Sequence, residues 1–188
     1  DQNIQPHNFP DQIFSMKWNH EGTVLAIGGS SLENETFLDI WDASAFELDR
    51  SIHEGFGTIV SISWRPGFEE LTYGRNDLRI FHRDLIQEKN LFEFRDYDIY
   101  PNSLSWNPDG SLLAIGSGYF DRFKHSIFIF DIAQQNVVES FIGHNYEVDD
   151  VFWSSDGDRI ISGSPDNTIR IWDANTNIQL QQFHKNTH

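Results

Sequence analysis

Residues 143–173 read GHNYEVDDVFWSSDGDRIISGSPDNTIRIWD, and this stretch decides the fold. It contains three short runs of apolar and polar side chains, which end at Trp153, Gly163 and Trp172. Alternation with a period of two is typical of a strand with one buried face. The pair Asp156-Gly157 between the first two runs suits a tight reversal, because Gly accepts positive φ. The stretch therefore predicts a meander of short antiparallel strands.

Three further copies of this pattern precede it, and tryptophans mark their spacing. The markers, 46, 42 and 47 residues apart, are Trp18, Trp64, Trp106 and Trp153. Each marker ends a first strand, and a turn with an acidic-Gly or Pro-Gly pair leads to a second strand. A third strand ends in an aromatic residue that one polar residue follows; these pairs are Trp41-Asp42, Phe81-His82, Phe130-Asp131 and Trp172-Asp173. A weaker fourth strand closes each copy. The sequence therefore predicts an all-β fold of four four-stranded antiparallel units.

These repeats resemble those of the WD-repeat β-propeller family. The resemblance rests on the period, on the pairs Trp41-Asp42 and Trp172-Asp173, and on Gly143-His144 about nine residues before Trp153. It covers residues 13–183 and implies that each copy is a propeller blade whose innermost strand lines a central channel. The whole chain, 1–188, is then a propeller segment. Its blades are expected at approximately 13–53, 59–95, 103–143 and 148–184.

The resemblance also implies a structural network in the fourth repeat. In WD repeats a His, a Ser, an Asp and the Trp form a hydrogen-bonded chain, and the matching residues here are His144, Ser162, Asp166 and Trp172. A buried indole N–H needs an acceptor, and a hydroxyl can link it to an imidazole. Ser, His and Asp are also the parts of a hydrolase, but the matching Trp favours the scaffold role, so no catalytic residue is predicted. At the Ser position the other repeats carry Ile27, Tyr73 and Ile115. Those blades are expected to rely on apolar packing.

Two loops between second and third strands are enlarged. From the strand-ending Gly to the closing aromatic there are 9 residues in the fourth repeat and 7 in the second, but 13 in the first and 14 in the third. Both long loops are expected on the same rim, and aromatic and Arg side chains on such loops are typical interface anchors. The candidate partner-binding residues are Glu33 and Glu35 of the first-repeat loop and Tyr119, Phe120, Arg122, Phe123 and Lys124 of the third-repeat loop. The alternative is that Phe120 and Phe123 pack back against their own blade.

The composition excludes several classes of function. There are 29 acidic and 13 basic residues, for a net charge of −16, which opposes contact with nucleic-acid phosphates. The absence of cysteine excludes disulfide scaffolds and thiolate zinc sites, and the eight histidines do not cluster at metal-ligand spacing. No apolar run is long enough for a membrane span, and there is no signal-like start. We therefore expect no metal, cofactor, nucleic-acid or membrane site, an intracellular, cytoplasmic location, and protein partners with basic segments.

Four blades are few for a propeller, and the first residue is Asp1 instead of Met. Three arrangements are open: the remaining blades belong to a longer protein, two or more copies complete a ring, or the four blades close alone. The predicted function is a non-catalytic protein-interaction scaffold. The alternatives are a sensory or regulatory propeller module of a multidomain signalling protein and, less favoured, a hydrolase on a propeller scaffold.

Overall fold

The computed structural model describes residues 12–96, 99–118 and 125–184, and these ranges form sixteen strands in four sheets. Blade 1 contains β1 Gln12–Trp18, β2 Val24–Ser30, β3 Glu35–Asp42 and β4 Glu47–Phe56. Blade 2 contains β5 Ile59–Trp64, β6 Glu70–Arg75, β7 Arg79–Asp84 and β8 Lys89–Arg95. Blade 3 contains β9 Pro101–Trp106, β10 Leu112–Ser117, β11 Ser126–Asp131 and β12 Asn136–Ile142. Blade 4 contains β13 Asp150–Trp153, β14 Arg159–Ser164, β15 Thr168–Asp173 and β16 Gln179–His184.

Each blade is a simple meander, because within a blade every strand pairs antiparallel with the next strand along the chain. The turn between the first and second strands has the same backbone conformation at its glycine in all four blades. In each copy a glycine adopts positive φ, between 71° and 77°; these residues are Gly22, Gly67, Gly110 and Gly157. Pro66-Gly67 therefore serves as the counterpart of the acidic-Gly pairs in the other blades. The fold is all-β, as the alternation of side chains predicts.

The third strand of blade 2 ends two residues later than the sequence pattern predicts. Asp84 accepts hydrogen bonds from the backbone N–H groups of Ile86 and Gln87, both at 2.8 Å. The residues that accept the same bonds in the other blades are Asp42, Asp131 and Asp173. Arg83 therefore stands where the other blades have the closing aromatic, and the assignment of Phe81-His82 to this place is wrong.

The same shift corrects the predicted short hairpin of blade 2. Counted to Arg83, the segment from Gly74 has 9 residues, as in blade 4. The turn itself also matches, because Leu78 has φ 66° and Asn167 in blade 4 has φ 64°. Blade 2 is therefore a blade of regular size in which the usual closing aromatic is replaced by an arginine.

The core lies between the blades, in three apolar clusters. β5 packs beside β1, β9 beside β5 and β13 beside β9, so the blades follow one another in chain order. Each cluster joins the inner strand of one blade, with the connection that leads into it, to apolar side chains of the preceding blade. Between blades 1 and 2, for example, Ile59 and Ile62 pack against Leu38 and are at most 1% exposed. Complete burial of one such side chain stabilises a fold by roughly 1.5–3 kcal/mol.

At every junction the inner strand of one blade, or the connection that leads into it, lies directly against a glycine of the preceding blade. A Cβ atom built on Gly28 would lie 2.6 Å from Ile59 Cγ2, and one built on Gly74 would lie 2.6 Å from Pro101 Cβ. At Gly116 the nearest atom is Val148 Cγ1, at 3.0 Å. Real Cβ contacts are essentially never shorter than 3.0 Å, so a side chain at Gly28 or Gly74 would force the neighbouring blade to shift, and Gly116 leaves little spare room. We call Gly28, Gly74 and Gly116 the junction glycines.

Polar groups on the inner strands also connect the blades around the channel. Ser61 Oγ donates to Pro101 O at 2.6 Å, and Ser103 and Ser105 accept from the N–H groups of Val151 and Trp153. The inner strands of all four blades line one cavity of about 300 Å³. These strands therefore occupy the place that the propeller architecture assigns to them.

The corrected register of blade 2 can be tested by removing its turn-forming carboxylate. We expect Asp84→Ala to lower the thermal unfolding midpoint by a few degrees, because two backbone N–H groups lose their acceptor. Asp131→Ala should have a comparable effect, since Asp131 makes the same bonds in blade 3. Glu69→Ala, at an exposed neighbouring position, is the control and should be almost neutral. An Asp84→Ala protein as stable as the control would contradict the register.

Candidate interaction surface and its supporting networks

The structure brings His144, Ser162, Asp166 and Trp172 into one chain of hydrogen bonds. Trp172 Nε1 donates to Ser162 Oγ at 2.9 Å, and Ser162 Oγ lies 2.8 Å from His144 Nε2. His144 Nδ1 lies 2.9 Å from Asp166 Oδ2. The chain joins the connection before β13 to β14, to the β14–β15 turn and to β15. It therefore fixes the position of four separate segments of blade 4.

Burial and hydrogen bonding determine the charges in this network. Burial lowers the pKa of His144 below its usual value, although Asp166 opposes the shift. Burial also acts to raise the pKa of Asp166, but hydrogen bonds from Thr168, the Asn145 N–H and His144 outweigh it and hold that pKa well below its usual range. A neutral His144 that donates from Nδ1 to a charged Asp166 and accepts from Ser162 at Nε2 satisfies every partner.

This geometry does not suit Ser162 to nucleophilic catalysis. The residue is only 1% exposed, and its oxygen lies between the Trp172 indole and the His144 imidazole. A nucleophile must reach its substrate, whereas these four side chains are engaged in hydrogen bonds between segments of one blade. Within the described ranges, no three His, Asp or Glu side chains are grouped so that they could hold a metal ion.

Blade 2 contains a different buried polar network, which the repeat pattern gave no reason to expect. His82 is 1% exposed; its Nε2 lies 2.8 Å from Glu70 Oε2, and its Nδ1 lies 2.9 Å from Thr72 Oγ1. Arg65 donates to the same Glu70 oxygen at 2.8 Å and to Gly110 O of blade 3 at 2.8 Å. Burial lowers the pKa of His82 even though Glu70 acts to raise it. The network therefore links blade 2 to blade 3.

Tyr73, which stands at the Ser position of blade 2, adds a second polar link. It is 1% exposed, and its hydroxyl donates to Glu54 of blade 1. Glu54 also accepts from Arg83 at 3.4 Å and from Asn90 at 3.2 Å. Burial and the neighbouring Glu54 carboxylate raise the pKa of the Tyr73 hydroxyl. The expectation that blade 2 relies on apolar packing alone is therefore wrong.

The first-repeat loop lies at the rim formed by the connections between blades and by the turns between the second and third strands of each blade, which are β2–β3 in blade 1 and β14–β15 in blade 4. Glu33 and Glu35 are both exposed, and Asn34 between them adopts φ 60°. The Glu35 N–H donates to Ser31 Oγ at 3.1 Å, which closes the loop at its base. Blade 2 lies between blade 1, which carries this loop, and blade 3.

The third-repeat loop can be located only by its flanks. Its candidate residues, which all lie outside the described residues, are Tyr119, Phe120, Arg122, Phe123 and Lys124. On one flank, a Cβ built on Gly118 would lie 2.4 Å from the Glu147 Cα atom, so the base of the loop packs against the connection before β13. On the other flank, the His125 ring stacks on Tyr146 with 6.2 Å between ring centroids.

Tyr146 is a surface residue that the sequence reasoning missed. It is 57% exposed, and its carbonyl oxygen accepts from Ser164 Oγ at 3.2 Å, so its backbone is held in place. Next to it, burial and the charges of Glu147 and Asp150 raise the pKa of Asp149. An aromatic residue two places after His144, in a connection between strands, was the available signal. The rim beside the third-repeat loop thus combines an exposed ring with a cluster of carboxylates.

Comparison with known proteins agrees with this architecture. Residues 135–173 match the family model "WD domain, G-beta repeat". The chain is 30% identical over 139 residues to the anaphase-promoting complex subunit cdc20 of Dictyostelium discoideum, an alignment that covers 73% of this chain and 27% of the relative. It is 32% identical over 163 residues to the U5 small nuclear ribonucleoprotein 40 kDa protein of the same organism, covering 86% of this chain and 43% of the relative. It therefore spans less than half the length of either relative.

A solved structure shows the same fold. A chain in the crystal structure of the mitotic checkpoint complex superposes with a TM-score of 0.77 at 23% identity, over 92% of this chain and 52% of the other. The described part of this chain contains no apolar helix of membrane-spanning length. The strand order, the blade junctions and the matching family model define an all-β protein of the propeller class. The chain is a member of the WD-repeat β-propeller family.

The two buried histidines should make the stability of the chain depend on pH. Both are neutral when folded because burial lowers their pKa, whereas an unfolded histidine takes up a proton near pH 6.5. The stabilisation that depends on these neutral histidines should therefore be fully present above pH 6.5. At lower pH the free energy of unfolding should decrease, by up to about 1.4 kcal/mol per pH unit for each histidine. Chemical denaturation between pH 7.5 and 5.5 measures this slope. His144→Gln should reduce it, and a variant with the slope of the wild-type protein would contradict the assignment.

Proposed function

We propose that this chain is a non-catalytic protein-interaction scaffold that binds its partners at the rim carrying the loops between the second and third strands of each blade. The observation that supports this most strongly is the exposed Tyr146, held by Ser164 and stacked on His125 at the base of the third-repeat loop. Rigid elements that present an exposed aromatic are typical of interface anchors. In this proposal Tyr119, Phe120, Arg122, Phe123 and Lys124 extend the same contact surface.

The charge of the rim indicates the chemistry of the partner segment. Glu33, Glu35, Glu147 and Asp149 lie on this rim, in a chain with a net charge of −16. A basic partner segment would be attracted over distances of about 10 Å at moderate salt, which mainly raises the association rate. By analogy with relatives whose names place them in a complex and a ribonucleoprotein, the chain acts inside the cell as a component of a larger protein assembly. The narrower cytoplasmic location is proposed from the sequence alone.

A regulatory module of a larger signalling protein is the second candidate function. Its support is that the chain spans only 27% and 43% of the two relatives described above. In both cases the same rim would bind the partner. The two candidates therefore differ in what else the parent protein carries and share one binding surface.

A hydrolase function has less support, although one exposed Ser-His pair exists. Ser51 Oγ lies 3.2 Å from His53 Nε2, and Ser51 also donates to Asp39 Oδ1 at 2.5 Å. In a catalytic triad the carboxylate orients the histidine and the serine proton points to the histidine. Here the Ser51 hydroxyl donates its hydrogen bond to the Asp39 carboxylate, so His53 is not placed to act as its general base. The geometry therefore favours a surface hydrogen bond.

Substitutions on the two rims test the proposed surface. Tyr146→Ala, and separately Phe120→Ala with Phe123→Ala, should reduce the recovery of co-purifying partners by about tenfold or more, because loss of an aromatic anchor costs roughly 2 kcal/mol or more. The matched control is Ile86→Ser, since Ile86 is 77% exposed in the β7–β8 turn on the opposite rim. Quantitative mass spectrometry after affinity purification measures the recovery, and higher salt should weaken wild-type binding. Equal recovery with rim and control variants would refute the proposed surface.

A further inference from the structure

The connection between blades 1 and 2 presents an exposed aromatic ring on the same rim as Tyr146. Phe56, the last residue of β4, is 75% exposed. Among the described residues no ring stacks on it, and no Lys or Arg side chain lies over it. The corresponding connection between blades 3 and 4 is exposed as well, at Asn145 and Tyr146. The exposure of Phe56 therefore belongs to the rim and not to an open face of the first blade.

Hydrogen bonds fix the backbone that carries this ring. The buried Arg75 guanidinium donates to the carbonyl oxygen of Phe56, and the Gly57 N–H donates to Asn34 O of the first-repeat loop at 2.8 Å. Arg75 also forms an ion pair with Asp77, in which the N and O atoms are 3.1 Å apart. The ring is therefore held on a fixed support, and the cation that holds this support is already ion-paired.

A carboxylate stands directly opposite this ring. Glu35 of β3 pairs with Phe56 of β4 in the antiparallel register. Residues paired in this way point to the same face of a sheet, with about 4.5–5.5 Å between their Cβ atoms. Glu35 and the nearby Glu33 are both exposed, and neither forms an ion pair in the part of the chain that the structure describes. An aromatic ring and an unpaired negative charge are thus presented side by side.

The chain itself shows what such a pair of groups can hold. In blade 2 the guanidinium carbon of Arg65 lies 4.1 Å from the centroid of the Phe68 ring. Nη1 of the same arginine lies 2.8 Å from Glu70 Oε2. The arginine is thus bound by an aromatic ring and a carboxylate together. Phe56 and Glu35 provide the same two groups, but the described chain places no guanidinium between them.

We propose that Phe56 and Glu35 bind an arginine side chain of a partner protein, with the guanidinium stacked on the Phe56 ring and hydrogen-bonded to the Glu35 carboxylate. This inference rests on the proposed function, since it gives the partner rim a second anchor and a chemical requirement. The planar guanidinium suits both contacts, because one face can stack on a ring while its N–H groups bind a carboxylate. An acidic partner segment would be repelled by Glu33 and Glu35, which adds to specificity.

Titration of the full chain with the peptide acetyl-Gly-Arg-Gly-amide, followed by NMR, tests this site. The backbone amide signals of Gly55 and Gly57, which flank Phe56, should shift in a saturable way. Phe56→Ala and Glu35→Gln should each raise the dissociation constant by about two- to fivefold, and the double variant by about tenfold. A peptide in which citrulline, the uncharged isostere, replaces arginine should cause no saturable shift.

The matched control is Phe46→Ala, because Phe46 is 85% exposed in the β3–β4 turn on the opposite rim. This variant should bind the arginine peptide like the wild-type chain, and the remaining amide signals of every variant check that it is folded. Equal binding of the citrulline peptide, or a Phe56→Ala chain with the wild-type dissociation constant, would overturn the proposal. The titration uses no cellular partner, so its result is independent of the partner recovery measured with Tyr146→Ala, and the two proposals can fail separately.

Discussion

The close approach of each inner strand to a glycine of the preceding blade is the constraint on which this structure depends. A single four-stranded sheet has two faces and cannot bury either of them alone. The junction glycines let the next inner strand, or the connection leading into it, lie at contact distance, so that Ile59 and Val148 reach the sheet of the preceding blade. Hydrophobic burial then accumulates between blades instead of within them, as is usual in repeat proteins. The three apolar clusters and the order of the blades both follow from this.

In addition to this packing, which all blades share, individual blades contain different networks of buried hydrogen bonds. In blade 4 a chain of hydrogen bonds from Trp172 to Asp166 joins four segments of the same blade. In blade 2, Arg65 and Tyr73 instead reach across to blades 3 and 1. Buried polar groups cost free energy unless they are satisfied, so each network is useful only when complete. The blade 4 network also holds the rim that carries Tyr146, because His144 and Asp166 lie in a connection and a turn on that side of the blade.

Much of the fold follows from local sequence signals, since alternating side chains and turn glycines act over short distances. The four tryptophans locate the blades, and the residues expected to form the network of blade 4 do lie within hydrogen-bond distance of one another. The sequence pattern of blade 2 is misleading because Phe81 resembles the aromatic residue that ends the third strand in the other blades, whereas Arg83 occupies that position. Only the contacts of Asp84 with the following turn settle the register.

The surface was less predictable, because it depends on how connections pack between blades. Tyr146 lies in a connection whose course is set by His125 and Ser164, which are distant from it in sequence. The buried His82 network likewise depends on Arg65 reaching Gly110 of the next blade. Neither arrangement has a repeated sequence signature. The third-repeat loop lies outside the described residues, so its candidate residues remain predictions.

The stability of a Gly74→Val protein tests most directly whether the junction glycines organise the fold. The added side chain would meet Pro101 Cβ at 2.6 Å and Ser61 Oγ at 2.7 Å, so blades 2 and 3 would have to separate. Denaturant unfolding should show a loss of at least roughly 1–3 kcal/mol relative to the wild-type protein, the usual cost of overpacking. Wild-type stability together with a native circular dichroism spectrum would contradict the account.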